Sequence, residues 1–238
     1  MNSQTPLNAA KTHVPKAFNG VSKSYDWLTG LNPGYKKHLR WSAERLSAPT
    51  AARILDLCCG TGLSTEALRD TYSDAAITGL DASEGMLSKA RRKSLGASYV
   101  LGDATDPAAV GCKGPYDGIL MAYGIRNIPD PDTCLRNLLS LLKPGGRIVF
   151  HEYSVADSKL RKGIWNAVSW GIVRPGGLIT APKSKIYSYL QRSVNEFDGV
   201  RAFEARLSRA GYVNIRTEGM DGWQTGIVHS FIAERPVG

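Results

Sequence analysis

Apolar and polar positions along this chain come in blocks that change period as the chain proceeds. The run Ile54-Leu55-Asp56-Leu57-Cys58-Cys59 is nearly all apolar until it meets the turn Gly60-Thr61-Gly62, and a segment with helical spacing, Leu63 to Asp70, follows. A short apolar run bounded by glycine predicts a buried strand of a parallel sheet. Further strands are expected at Ala76 to Leu80, Ser98 to Gly102, Tyr116 to Met121 and Arg147 to Tyr153, the last after the turn Lys143-Pro144-Gly145-Gly146. Between the fourth and fifth, Asp132 to Leu142 reads as a helix. Leu135, Leu138, Leu139 and Leu142 form its stripe, Asp132 is its expected cap and Pro144 its stop. Strands alternating with helices, closed by a C-terminal pair of strands, predict an α/β fold. The expected form is a Rossmann-like, seven-stranded, mostly parallel sheet with helices on both faces.

A chain of 238 residues suits one such domain with decorations. Residues 1–15 read as a disordered tail and 16–238 as the domain. Within it, 16–50 form helices on the substrate side, and 156–208 form a helical lid inserted before the last two strands. The opening dozen residues are polar and lack the apolar core of a signal peptide. No apolar run approaches the roughly 20 residues that span a bilayer. Cys58, Cys59, Cys112 and Cys134 have no metal-ligand spacing, so four free thiols in a reducing cytoplasm are expected. The net charge of +9 is uneven. Residues 51–150 hold 11 Lys/Arg against 11 Asp/Glu, and the whole excess lies in the flanks. Those flanks would build a lid, and their charge suits an anionic membrane surface or an acidic substrate.

The chemistry concentrates at strand ends. Gly60 and Gly62 allow positive φ and let a ligand rest on the backbone. Asp81, at the end of the second strand, is placed to accept from two ribose hydroxyls. Asp103 and Ala104 close the third strand, where an acid and a small residue suit an adenine, and Tyr123 follows the fourth. Ligands of such sheets bind at these carboxyl ends. A dinucleotide fingerprint would place a small third residue where Thr65 stands, and no phosphate-loop Gly-Lys-Ser/Thr is present. Asp56 would repel a phosphate, yet it suits the sulfonium and amino group of S-adenosyl-L-methionine. That is the expected cofactor.

Several segments together resemble the C-methyltransferases of ubiquinone and menaquinone biosynthesis, within the class I S-adenosylmethionine-dependent fold. They are Phe18, Val21-Ser22 and Tyr25-Asp26, then His38-Leu39-Arg40-Trp41, the Leu55–Gly62 loop, and Gly79 to Leu87. The most specific is Tyr123-Gly124-Ile125-Arg126-Asn127-Ile128-Pro129-Asp130, similar to the family's Phe-Gly-Leu-Arg-Asn. Tyr187 to Ser193 and Thr225 to His229 continue the likeness. The resemblance implies that Thr61, Asp81, Asp103 and Ala104 touch the cofactor, and Ala82, Met86 and Ala122 are further candidates beside them. It also implies that Arg126 and Asn127 face a reacting ring, where a fixed cation favours a phenolate and orients a water. A structural ion pair for Arg126 and a turn role for Asn127 are the alternatives. Tyr25 is a ring-facing candidate, and His38, His151 and His229 are base candidates with packing as each one's alternative. Departures fall on the substrate side: Thr29 where the family has Asn, Arg192 where an acid is common, and Ala122 where serine is common. They are what a divergent paralogue would show.

The lid carries an apolar stretch, Ile164 to Val173, flanked by Lys159, Arg161, Lys162 and Arg174. Trp165, Trp170 and Tyr187 are its candidate substrate contacts. Ten apolar residues suit a core helix, a greasy lid or an interfacial dip. The expected partner is an apolar or prenylated aromatic small molecule, with transient contact to an anionic membrane. Monomer and homodimer stay equally open. A base-methylating nucleic-acid enzyme would carry Asn/Asp-Pro-Pro-Tyr/Phe where this chain has Met121-Ala122-Tyr123-Gly124, so nucleic acid is not expected. Two alternatives stand: O- or N-methylation of a specialised metabolite, and a cofactor-binding protein that shapes a pericyclic reaction without transferring methyl.

Overall fold

The computed structural model describes Lys11, Thr29, Gly30 and residues 32–180 and 186–238. The expected tail, the opening motif and Tyr25 lie outside the described residues, Lys11 excepted. Seven strands form one sheet: β1 (Arg53–Leu57), β2 (Ala76–Asp81), β3 (Ser98–Leu101), β4 (Tyr116–Ala122), β5 (Leu142–Tyr153), β6 (Val213–Gly219) and β7 (Val228–Glu234). Their order is β3-β2-β1-β4-β5-β7-β6, with β7 antiparallel to both its neighbours and the rest parallel. This is the expected Rossmann-like sheet.

The two faces follow from the period of two in each strand. Leu55, Leu57, Ile119, Met121, Ile148, Phe150 and Phe231 share one core with α4 (Pro131–Leu141) and α8 (Val200–Arg209). Ile54, Ile77, Leu120, Val149 and Ile232 share the other with α1 (Tyr35–Leu46) and α2 (Leu63–Thr71). Helix α3 (Glu84–Arg92) follows β2, and its cap is Ser83, whose hydroxyl accepts from the Met86 N–H. The insertion expected to act as a lid holds α5 (Lys159–Val168), a π-helical turn at Ser169–Val173, α6 (Arg174–Thr180) and α7 (Ile186–Glu196). Its Trp165 and Val194 pack in a small cluster with Tyr153, Val155, Met220, Ile227 and Val228.

Two local expectations are corrected. Helix α4 is capped by Asp130, whose carboxylate accepts from the Thr133 N–H at 3.0 Å, and not by Asp132. Pro131 decides this, since its fixed φ and missing N–H suit the first helical position. Asp132 instead pairs with Arg206 at 2.6 Å. The turn Lys143–Gly146 is absorbed into β5, whose register on β4 shifts between Tyr116 and Gly118, leaving those residues as a bulge.

At the edge where β1 and β4 end, backbone strain and close packing coincide. Cys58 and Tyr123 both hold φ at +55°, a conformation non-glycine residues rarely adopt. Gly124 lies against the first of them, so a Cβ there would stand 2.7 Å from Cys58 Sγ and 3.0 Å from Met121 Cγ. Gly124→Ala is therefore expected to wedge the two strand ends apart at a cost of about 1–3 kcal/mol. Calorimetry should show Tm falling by about 2–4 °C for each kcal/mol. An unchanged Tm would mean that this edge is looser than the packing implies.

Candidate active site

The strand ends build a polar edge, and the first group on it is Asp56. It is fully buried on the same face as Ile54, which turns it toward the start of α2. Its Oδ2 accepts from Ser64 Oγ at 2.9 Å and from Thr65 Oγ1 at 2.6 Å, tying strand to helix across the glycine turn. Oδ1 is buried with no partner among the described residues. Burial raises the carboxyl to about 7 against the pull of those two hydroxyls, and the Asp81 charge adds to the rise. A half-satisfied buried acid is stabilised most by a cation.

Above it, Gly60 and Gly62 hold φ at +55° and +85°, with Thr61 buried between them. A Cβ on Gly60 would meet nothing nearer than the Cys58 carbonyl at 4.0 Å, so that face of the backbone is open to a ligand. Asp81 closes β2 and braces the turn. Its Oδ2 accepts from the Gly60 N–H at 2.9 Å and its Oδ1 from the Ser83 N–H at 2.8 Å. A carboxylate takes about four hydrogen bonds, so both oxygens keep capacity for ribose hydroxyls. Burial pushes this carboxyl up as well. Asp103 is exposed and accepts from the Thr105 N–H at 2.8 Å, while Ala104 is buried under a Cys134 thiol that donates to its carbonyl. Ala82 is exposed beside Asp81, Met86 is buried in the first turn of α3, and half-buried Ala122 ends β4. An unpartnered buried acid, an open glycine face and a bracing carboxylate fit a nucleoside that carries a positive charge.

The second group follows β4. A 3-10 turn at Ile125–Asn127 directs Arg126 inward, where it is 5% exposed. Its Nη1 donates to Glu152 Oε1 at 2.6 Å and to the Tyr123 carbonyl at 2.8 Å. Glu152 is wholly buried, and the same Oε1 accepts from the Tyr153 N–H at 2.9 Å. Arg126 Nε and Glu152 Oε2 are both buried and have no partner among the described residues. Burial pushes the Glu152 carboxyl up, and the Arg126 charge offsets only part of that. Asn127 donates from Nδ2 to the Tyr123 carbonyl at 3.1 Å and accepts at Oδ1 from the Tyr189 hydroxyl at 3.0 Å. Burial pushes Tyr189 up to about 12, which keeps it a neutral donor.

Arg126 and Asn127 both bond the Tyr123 carbonyl, and the ion pair that was the alternative to a chemical role for Arg126 is present. Glu152 and Tyr189 were not singled out. A glutamate inside the apolar run Ile148 to Tyr153 was the available signal for the first, because a charge there demands a buried partner. Tyr189 lies in the same motif as Tyr187, but two residues on a helix point about 200° apart. Tyr187 packs over the Gly177 backbone within the lid. The tryptophans also diverge. Trp165 is buried with its ring 4.7 Å from Tyr153, whereas Trp170 is 61% exposed under the Arg174 guanidinium.

The three candidate histidines, His38, His151 and His229, are packed. His38 contacts Gln224 and Asp221, His151 has both ring nitrogens bonded, and burial lowers His151 to about 3 and His229 to about 4. Neither His151 nor His229 is poised to take a proton near neutrality.

A model of the ubiE/COQ5 methyltransferase family matches residues 5–234. The demethylmenaquinone methyltransferase of Lactococcus lactis subsp. lactis (strain IL1403) is 32% identical over 222 residues, covering 90% of this chain and 86% of the relative. Among solved structures, the [4+2]-cyclase SpnF aligns with a TM-score of 0.68 and 18% identity over 94% of this chain and 96% of its own. The plantazolicin methyltransferase BamL, in complex with a triazolic desmethylPZN analogue and SAH, gives 0.66 and 14% over 96% and 98%. At these identities the two structures share the fold.

The Asp56 carboxyl makes affinity for a cationic nucleoside depend on pH. Its pKa is raised, so below about 7 the site holds a proton that a sulfonium must displace. Affinity for S-adenosylmethionine should therefore rise about tenfold between about pH 6 and pH 8, with proton release measurable by titration calorimetry in buffers of different ionisation enthalpy. Asp56→Asn should bind more weakly with a flatter profile. A flat profile in the unaltered protein would remove Asp56 from this role.

Proposed function

Because the chain belongs to the ubiE/COQ5 methyltransferase family and is an S-adenosylmethionine-dependent methyltransferase, we propose that it methylates a ring carbon of an apolar phenol or quinol. A prenylated ring of the demethylmenaquinol kind is the substrate class that fits best. One observation carries this reading. Arg126 Nε, a donor, and Glu152 Oε2, an acceptor, belong to one ion pair, and both are buried without partners among the described residues. A water between them would both accept and donate, completing the pair.

Bound S-adenosylmethionine supplies the electrophilic methyl. The protein's task is the other reactant, because a ring carbon becomes a good nucleophile only when a neighbouring hydroxyl loses its proton. The Arg126 charge favours the phenolate. Burial makes Glu152 a stronger base than an ordinary carboxylate, so its Oε2 can receive the proton through the bridging water. Asn127 and Tyr189 add a hydrogen-bonding edge that stays neutral, and Tyr123, Tyr153 and Trp165 give an aromatic wall for a planar ring.

Support for an apolar tail comes from the lid. Leu160, Trp170 and Ile172 are 70%, 61% and 66% exposed. Residues 159–174 hold four Lys/Arg and no acid. Apolar tips among cations complement an anionic bilayer surface, and the lid would dock there while the substrate enters. No described helix is long and apolar enough to cross a membrane.

Incubation with labelled S-adenosylmethionine and demethylated quinols and phenols should give a C-methylated ring by mass spectrometry. An O-methylated product would move the reading to the oxygen, and absence of S-adenosylhomocysteine release would remove methyl transfer. Arg126→Ala alone strands a buried carboxylate at a cost of about 3–5 kcal/mol. The double variant Arg126→Gln/Glu152→Gln removes both charges together, and it should fold while losing about 10²–10⁴ in kcat. Near-normal kcat in that variant would exclude the pair from proton transfer. For the lid, vesicles containing phosphatidylserine should co-float the protein at low salt, and Trp170→Ser should weaken this. No flotation would end the membrane proposal.

A further inference from the structure

Glu152 has a neighbour that the chemistry proposed above does not use. In the antiparallel ladder of β5 and β7 it stands directly opposite His229. Opposite residues share a face of the sheet, with Cβ atoms about 4.5–5.5 Å apart. His229 is 9% exposed, and its Nδ1 is buried with no partner among the described residues. Burial lowers this imidazole to about 4 against the pull of the Asp157 charge, so the ring is neutral near pH 7.

The surroundings of the ring decide which way that nitrogen faces. Along β7 the same-face neighbour is Phe231, whose ring lies 5.9 Å away and offers no hydrogen bond. On the far side His229 is paired with Gly219 of β6, which has no side chain and where a Cβ would meet nothing within 4 Å. The open side of the ring is therefore toward β6, and the buried nitrogen belongs to the β5 side, with Glu152. Three buried polar atoms thus share this part of the edge without partners among the described residues: Arg126 Nε, Glu152 Oε2 and His229 Nδ1.

Their chemistry closes around one water molecule. A buried water makes about three hydrogen bonds to groups otherwise left unmet. Arg126 Nε only donates and an ionised Glu152 only accepts, so a water between them uses one lone pair and one hydrogen. One lone pair and one hydrogen remain. The lone pair has to stay free for a substrate hydroxyl, because that is how the proton enters the water. The remaining hydrogen needs an acceptor, and a neutral imidazole with a bare Nδ1 is one.

We infer that His229 is a positioning residue that holds the water between Arg126 and Glu152, accepting from it at Nδ1 and carrying its own hydrogen on Nε2. The inference rests on the phenol or quinol reading above and deepens it. The substrate O–H bond breaks as the water takes that hydrogen, and the water passes one of its own to Glu152 Oε2. The water is restored, Glu152 ends as a neutral acid and the substrate as a phenolate. His229 takes no proton in this exchange. It fixes the second hydrogen of the water so that the first points at Glu152, and its lowered basicity keeps it from competing for the proton.

Two measurements test this separately. Nitrogen-15 NMR of the His229 ring in the free protein should find Nε2 protonated and Nδ1 bare between about pH 6 and pH 8. An Nδ1–H tautomer would fill the lone pair that the substrate needs, and would overturn the inference. In turnover, His229→Leu should lower kcat about tenfold with KM little changed, and should raise the solvent deuterium isotope effect on kcat as proton transfer slows. His229→Asn, whose Oδ1 can accept where Nδ1 does, should restore both. Packing alone would favour Leu over Asn, so the reverse order of the two variants, or no change in either, would overturn the positioning role. If no aromatic ring is methylated at all, it is the proposed function that fails, and the tautomer still decides whether Nδ1 is an acceptor beside the ion pair.

Discussion

Three polar side chains sit in strands that are buried on both faces, and the carboxyl edge of the sheet is organised by the need to satisfy them. Asp56 stands in β1, and His151 and Glu152 stand side by side in β5, all of them fully buried. Each unmet polar group in such a place would cost about 1–3 kcal/mol, and more for a charge. Their partners are therefore obligatory, and each partner fixes a different piece of chain. Ser64 and Thr65 pin the start of α2 to Asp56, Ser42 pins α1 to His151, and Arg126 pins the turn after β4 to Glu152. The loops that surround the site are held less by their own propensities than by what these three groups require.

The strand period then separates the partners. Val149 belongs to the core with α1 and α2, Phe150 to the core with α4 and α8, and the alternation continues through the next two residues. His151 accordingly meets Ser42 from α1, while Glu152 emerges on the opposite face to meet Arg126. One pair of adjacent residues thus feeds two networks of different character, a neutral file of hydroxyls and imidazole and a charged pair. Tyr123 touches both, through its hydroxyl and its carbonyl. Its positive φ is a conformation that contacts at both ends can sustain.

What was legible in the sequence was what short-range pattern encodes. Apolar blocks ending in Gly60-Thr61-Gly62 and in Asp81 located the strands and the polar edge at their ends, because strand period, turn chemistry and the acid at a strand end are all local. The cap of α4 was misread between two acids two residues apart, and Pro131 between them carried the answer. Glu152 and Tyr189 escaped for a different reason. Their partners Arg126 and Asn127 lie 26 and 62 residues away, and no periodicity says which cation or amide a buried group will meet. A charge in a buried strand announces that it has a partner without naming it.

The two halves of the edge also differ in net charge, in a way that suits the proposed reaction. Asp56 and Asp81 stand close enough for the charge of one to raise the pKa of the other. Asp56 has no basic side chain among its bonded partners, so that half attracts a cation. The other half holds a cation already, but one paired with Glu152 inside the protein. An unpaired arginine there would repel a positive methyl donor and bind a phenolate so firmly that its nucleophilicity fell. Pairing keeps the guanidinium's donors in place before the proton moves. Once Glu152 has taken the proton, the phenolate replaces it as counter-charge, so the site with its substrate stays near zero net charge. Transfer of a methyl cation to a phenolate removes both charges, and a buried, low-dielectric edge favours the step that loses charge over the state that keeps it. The Arg126–Glu152 pair thus supplies direction without excess field, which a lone cation in the same turn would not.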